Sequence, residues 1–488
     1  MNHDIISHTI SKPIRHTKII ATIGPASSDE IIISEMIQAG MDIARLNLSY
    51  GTLASHKKVI ASIRMAEKKT KRKVGLLIDI PGPKLRLGTL PISPLTLRTG
   101  DHVIFTGEKS ATEPLSLPIS DKTLIPLVVK GDQILIADGS VVLTVQSFTN
   151  NIITAKVDVG GVVRDNSGVV FPGKRPDVNF ITDTLVKNLA FAVEEKADYI
   201  ALSFVSSDKD VYAVRDVLLG IPSDMIIIAK IEQESAVTHY ETILKASDGI
   251  MVARGDLGVE MPIEQIPHIQ KSLIQKANRQ KIPIITATEM LESMIHHGRP
   301  TRAEVTDVAN AIMDGTDAIM LSAETSVGTY PVRTVQMMAS IAVEAEKHLP
   351  YRDVYGTYSQ FFETPVSIGD VISAGACYTA MQLKSRIIVA FTRSGKTAER
   401  ASSCRPKQPI LAITSQPRVY RRLLLWWGVE PVLHTPIISA DTLFENAVKI
   451  ALSTGYASYG DTIVIVAGIP TGQKGSTNMM KVELISDK

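Results

Sequence analysis

This 488-residue chain reads as an α/β protein: a (β/α)8 TIM barrel, a β-rich segment inserted into one barrel loop, and a separate three-layer α/β domain after it. Three observations predict that class. Eight short apolar runs recur over residues 1–348 with helical stretches between them, which is the strand number of such a barrel. One interval, about 120 residues between the third and fourth runs, is far too long for a helix and changes character within it. A second series of apolar runs then begins after residue 348.

The eight runs are Lys18–Ile23, Met41–Leu46, Val74–Asp79, Tyr199–Phe204, Ile226–Lys230, Gly249–Ala253, Pro283–Ala287 and Asp317–Leu321. Each is apolar almost throughout, as a strand covered on both faces requires. The insertion, residues 89–172, holds alternating runs (HVIFTG, QILIAD, SVVLTV, IITAKV) broken by Gly, Asn and Pro, which is β chemistry. Removing it leaves residues 1–88 and 173–348 for the barrel, close to the ~250 residues such barrels need. In residues 349–488 a helix from Pro365 to Lys384 precedes strands at Arg386–Phe391, Pro409–Thr414, Val429–Leu433 and Thr462–Ala467. Trp426 and Trp427 are adjacent, so one is expected in the core and the other at a surface or interface.

Composition excludes several function classes. Hydrophobic residues at 44% and charged residues at 21% describe an ordinary globular chain. A formal net charge of +2 offers no field for nucleic acid or a membrane surface. Cys377 and Cys404 have no metal spacing and are expected as reduced thiols. The N-terminal stretch lacks the apolar core of a signal peptide, and no run reaches the ~18 apolar residues of a membrane span, so the cytoplasm is the expected location.

The chemistry gathers in residues 225–260. There two apolar runs end abruptly in charge: Lys230, Ile231 and Glu232 after the first, Arg254, Gly255 and Asp256 after the second. In parallel α/β folds that edge is where ligands bind. A lysine and two carboxylates converging there suit a divalent cation and a phosphoryl group. A pair of structural salt bridges at the barrel rim would look the same. Other run ends carry TIGPASS, ARLNLSYG, DIPGPKLRLG, TATEML and LSAETS, so functional residue types crowd one rim, whereas purely stabilising ion pairs should populate both.

The motifs ARLNLSYG, KIEQE, IMVARGDLGVE, ATEMLESM, RPTRAEVTDVANAIMDGTDAIMLSAET and TRSGKTA stand in family order and resemble those of pyruvate kinase over essentially the whole chain. The resemblance implies a barrel A domain, a β-barrel lid and an α/β C domain. It also implies transfer of the phosphoryl group of phosphoenolpyruvate to ADP, and a homotetramer. Carried onto this sequence, Glu232 and Asp256 would ligate Mg²⁺ or Mn²⁺. Lys230 would lie against the transferring phosphoryl group. The backbone N–H groups of Gly255 and Asp256 and the Thr288 hydroxyl would hold the substrate carboxylate. Arg45 and Arg86 would bind phosphates, Asn47 and Tyr50 would border the nucleotide, and Thr288 with water and Ser322 would serve protonation of the enolate. A monovalent cation would be held by Asn47, Ser49, Asp79 and the carbonyl of Ile80.

The chain departs from the family pattern in places. The third-strand motif has Ile80 and Leu87 as aliphatic neighbours and Lys84 in place of a glutamate, as in the family's potassium-independent branch. A lysine ammonium is itself a compact monovalent cation, so activity without K⁺ is expected; the plain alternative is a solvated loop lysine. Tyr50 replaces a histidine and Glu289 a glutamine. Asn166 to Gly173 replaces a lid segment whose lysine reaches the nucleotide phosphates, leaving Arg164 or Lys174 as substitutes. In the last domain Thr392, Arg393, Ser394, Gly395, Lys396 and Thr397 open a helix as a phosphate nest. The resemblance implies a phosphorylated allosteric effector there, with the 472–478 loop completing the site. A barrel lyase acting on oxaloacetate or pyruvate, or a catalytically weak regulatory paralogue, are the competing classes.

Overall fold

The computed structural model describes residues 14–107, 115–119, 127–149, 152–174, 179–221, 224–351, 367–436, 439–470 and 477–487. Its centre is a closed barrel of eight parallel strands: β1 (Lys18–Thr22), β2 (Ile43–Asn47), β3 (Gly75–Ile80), β4 (Tyr199–Leu202), β5 (Ile226–Ile231), β6 (Gly249–Ala253), β7 (Ile284–Ala287) and β8 (Ala318–Leu321). Each pairs in parallel with its neighbours in sequence, and β1 closes the ring on β8 with Lys18 beside Ala318. All eight apolar runs of the sequence are strands of this ring.

Strand residues alternate between two cores. One set faces out against the helices. The other set, including Ile20, Ile43, Leu77, Tyr199, Ile228, Met251 and Ile285, fills the barrel interior. Leu424 and Leu425, from the 3₁₀ turn Leu423–Leu425, join this inner core, which places the C-terminal unit against the barrel. Burying each such side chain contributes about 1.5–3 kcal/mol.

Four aspartates brace the lower ends of the strands in a repeating way. Asp42, Asp198, Asp248 and Asp317, each immediately before or one residue ahead of an even-numbered strand, accept the amides of Ile19, Leu76, Ile227 and Ile284 in the preceding odd-numbered strand, at 2.8, 2.8, 3.0 and 2.9 Å. Arginines meet three of these carboxylates: Arg15 and Arg72 at Asp42, Arg215 at Asp248 and Arg405 at Asp317. Helices between strands are capped from sequence, as where Thr301 and Glu304 form a reciprocal box at Arg302–Asp314 and Gly315 (φ 100°) ends it.

Between β3 and β4 lies the β-rich insertion. A six-stranded sheet and the two-stranded pair Leu95–Leu97/Gly161–Val163 enclose one apolar core. In the C-terminal unit a five-stranded sheet has apolar clusters on both faces. Four of its strands were expected; the fifth, Thr477–Leu484, pairs antiparallel to Thr462–Gly468. The adjacent tryptophans divide between a core and an interface, and both are buried. Trp426 packs into the C-terminal core while Trp427 stacks on His16 with ring centroids 4.5 Å apart. That segment is sandwiched between two units, so it has no solvent side. Cys377 and Cys404 are not joined in a disulfide. No described helix is long and apolar enough to cross a membrane.

Candidate active site

The alternation that fills the barrel also builds its upper layer. Ile20, Ile43, Leu77, Ala201 and Ile228 face inward, so the residues two further on, Thr22, Arg45, Asp79, Ser203 and Lys230, form the next interior level at the carboxyl ends of β1 to β5. Polar groups in that level bond around the ring. Thr22 Oγ1 accepts from Arg45 Nη1 at 2.7 Å. Arg45 donates through Nε and Nη2 to Asp79 Oδ2 at 3.0 and 2.8 Å. Asp79 Oδ1 faces Lys230 Nζ at 3.3 Å and accepts from Ser203 Oγ at 3.2 Å. Lys230 donates to Ser203 Oγ at 2.9 Å and lies 2.6 Å from Glu232 Oε1.

Glu232 is fully buried, with Oε2 accepting the Phe204 amide at 2.7 Å. Its Oε1, although close to the Lys230 ammonium, has no aligned hydrogen-bond donor among the described residues. Burial pushes the Glu232 pKa up and the nearby Asp256 charge adds to this, against the pull of Lys230. For Lys230 burial opposes the charged form, but Asp79 and Glu232 outweigh it and hold the ammonium protonated. Burial likewise opposes Asp79, and Lys230 with Arg45 keeps it ionised. The layer is thus a fixed pattern of charge in a water-poor site, where such charges act strongly.

Beside it, the helix Arg254–Glu260 follows β6 directly. Gly255 donates its amide to Thr288 Oγ1 at 2.8 Å. Thr288 and Glu289 both adopt left-handed backbone (φ 66° and 53°), a conformation disfavoured for residues with a Cβ. Arg254, which the sequence shows only as a charge at the end of a run, holds them there. Its Nη2 donates to the carbonyls of Thr288 and Glu289 at 2.7 and 3.0 Å, while Nη1 meets Asp307 at 2.7 Å. Asp256 Oδ1 is 3.0 Å from Lys84 Nζ, which also reaches Asp138 Oδ1 of the inserted segment at 3.3 Å and lies over the Phe204 ring. Burial, reinforced by Glu234 and Asp256, pushes the nearby Glu260 carboxyl up to about 7.

Other expected residues fall nearby with varied partners. Asn47 Oδ1 accepts the Ser49 amide at 3.0 Å, and the Ile80 carbonyl accepts the Ser203 amide. Lys84 makes its bonds to Asp256 and Asp138, not to Asn47, Ser49 or Asp79. Tyr50 is exposed, with its carbonyl facing the His56 ring. Arg86 donates to the Asn166 carbonyl at 2.9 Å, tying the end of the β3 loop to the insertion. Lys174 pairs with Asp132 at 3.4 Å. Ser322 caps the short helix Ala323–Ser326, its amide donating to Glu324. Ser203, missed in the sequence, was findable by counting two from Ala201.

In the C-terminal unit Thr392 Oγ1 accepts the Gly395 amide at 2.9 Å, and Gly395 (φ 95°) precedes the helix Lys396–Ser403. Lys396 is paired with Glu399 at 2.7 Å, and Thr397 Oγ1 meets Thr477 Oγ1 at 2.8 Å. Most of the 472–478 loop lies outside the described residues.

Comparison with known proteins gives one consistent answer. Residues 14–335 match the family model described as pyruvate kinase, barrel domain, and residues 370–483 match pyruvate kinase, alpha/beta domain. A pyruvate kinase of Staphylococcus epidermidis is 41% identical over 477 residues, covering 97% of this chain and 81% of that protein. One from Geobacillus stearothermophilus is 42% identical over the same coverage. The crystal structure of a pyruvate kinase from Cryptosporidium parvum superposes with a TM-score of 0.91 at 35% identity, covering 96% of each chain.

Proposed function

The chain belongs to the pyruvate kinase family, a phosphotransferase family acting on phosphoenolpyruvate and ADP, and on that premise we propose roles for the residues of the barrel rim. Lys230 flanks the transferring phosphoryl group and stabilises charge on its equatorial oxygens, with Asp79 and Ser203 fixing the ammonium in place. Arg45, oriented by Asp79, presents its remaining donor edge to a phosphate, and Arg86 does so beside the nucleotide. Asn47 and Tyr50 border that nucleotide.

Glu232 and Asp256 are the residues that would hold Mg²⁺ or Mn²⁺. Their chemistry fits: Mg²⁺ is bound through one or two carboxylates plus substrate phosphates, and Glu232 is a buried carboxylate whose Oε1 is met only by the Lys230 ammonium among the described residues. The bound cation would supply neutralisation of phosphoryl charge. The amides of Gly255 and Asp256 with the Thr288 hydroxyl receive the substrate carboxylate, which would compete for the present Gly255–Thr288 bond. Thr288 and water, with Ser322 near, serve protonation at carbon.

Independence from K⁺ is part of this reading. Lys84 keeps a permanent positive charge beside Asp256, burial notwithstanding, because Asp256 and Asp138 hold it protonated. It supplies charge next to the metal carboxylate and not inside the Asn47, Ser49, Asp79 and Ile80 cluster, where Asp79 is already engaged by Arg45 and Lys230. Residues 1–88 with 173–348, 89–172 and 349–488 act as barrel, lid and regulatory domain. The Thr392–Thr397 turn takes a phosphorylated effector by displacing the Lys396–Glu399 pair. The working form is a cytoplasmic homotetramer.

The Lys230–Glu232–Asp79 cluster carries this reading. Its test is pyruvate formation from phosphoenolpyruvate and ADP with Mg²⁺, with and without K⁺ at constant ionic strength. Equal rates are expected; a requirement for K⁺ would remove the Lys84 role and leave the rest.

A further inference from the structure

A cavity of about 260 Å³ opens at the opposite end of the barrel from the reaction site. Its walls are the turn before β4, the start of β5 and the short helix Pro417–Arg422 of the C-terminal unit. The charges around it are unevenly matched. Arg418 is paired with Asp224 and Arg421 with Glu67, while Glu195 is met by Lys57. Asp198 accepts the Leu76 amide, and its charge is met by Arg421 and Arg64. Two cations are left over. Among the described residues the Arg422 guanidinium makes no hydrogen bond or ion pair, and its Nε is buried without an acceptor. Lys196 on the facing wall, in a left-handed turn (φ 54°), has no ion pair either. A buried donor left unsatisfied is costly, so this guanidinium has bonding capacity to spare.

We propose that this cavity is a regulatory site for a small phosphomonoester, its phosphate held by Arg422 and Lys196 and its carbon skeleton lying on Val193, Met225 and Pro417. A guanidinium and an ammonium that both line one small cavity suit a tetrahedral dianion. The site is distinct from the Thr392–Thr397 turn. It has a rigid route to the chemistry: Tyr199 at the start of β4 donates its hydroxyl to the Arg421 carbonyl at 2.6 Å, and Ser203 at the far end of β4 bonds Lys230. Occupancy of the cavity is therefore read at the barrel rim through one strand.

The chain's two tryptophans, Trp426 and Trp427, follow Arg422 by four and five residues and report on this region. Titration of the full-length protein with inorganic phosphate, followed by tryptophan emission, should give a saturable change. Arg422→Gln and Lys196→Gln should each weaken it at least about tenfold, with far-UV circular dichroism unchanged. Lys196→Gln, on an exposed turn, keeps the test open should Arg422→Gln misfold. A wild-type response that survives both substitutions, or no response of the wild type, overturns the proposal while leaving the family assignment untouched.

Discussion

The two ends of the barrel both bury ionic groups, yet they treat them differently. At the lower end every one of the four bracing aspartates accepts a backbone amide, and three also meet arginines. Those carboxylates are satisfied by the protein itself. At the upper end Glu232 Oε1 has only the Lys230 ammonium, not aligned as a hydrogen-bond donor, and Lys230 is crowded by two carboxylates and a hydroxyl. Stabilising pairs are plentiful at the lower end, as is expected of ion pairs that serve only stability. What separates function from structure here is unmet bonding capacity, not charge density.

Substitutions should expose that contrast. Lys230→Met should lower kcat by at least about 10²–10³-fold, the scale for losing one charge stabiliser of a transition state, with circular dichroism unchanged; a normal rate in steady-state assay would sink the assigned role. At the other end Asp42→Ala should cost stability instead, about 3–5 kcal/mol in denaturant unfolding for breaking a buried pair, with kcat of the folded enzyme retained. Its acid dependence has a definite sign. Burial opposes ionisation of Asp42, but Arg15, Lys18 and Arg72 outweigh it, so its folded pKa is lowered. That contribution is complete above the unfolded value near 3.8 and is lost as pH falls through the folded one.

Asp198 should behave in the opposite sense. Its pKa is raised by burial to about 6, so its charged form weakens folding above that pH, and the penalty disappears as pH falls toward 3.8. Unfolding of Asp198→Asn against wild type should therefore shift in the variant's favour between pH 4 and 7, by on the order of 2–3 kcal/mol; a pH-independent difference would contradict this. The smallest effect is expected at Lys84→Gln, which should lose about tenfold in rate, worth about 1.4 kcal/mol, and recover it on adding K⁺.

Much of this was legible in the residues. The eight strands announce themselves because both faces are covered, leaving no polar positions to blur the runs. Lys230 and Glu232 stand out since a charge at the end of such a run has no solvent excuse. Thr477–Leu484 was not legible because its alternate residues, Met480, Val482 and Leu484, are partly exposed, which erases the usual apolar face. The Arg254 clamp on Thr288 and Glu289 depends on distant backbone carbonyls, which no local pattern encodes. The bracing aspartates were legible but unread: MDIA, ADYI, SDGI and TDAI recur at the starts of alternate strands.

The brace between β3 and β4 has a mechanical meaning. The insertion leaves the barrel from the top of β3 and returns into the helix Asp183–Glu194, which leads down to the bottom of β4, so its two roots are β3 and that helix. Asp198 fastens β3 and β4 to each other at the bottom through the Leu76 amide, with the ladder from Leu77–Tyr199 to Ile80–Leu202 in between. Any torque the insertion exerts is met by a post pinned along its full length. The strand from which the insertion departs is thus held to its neighbour from the Leu76 amide up to Ile80.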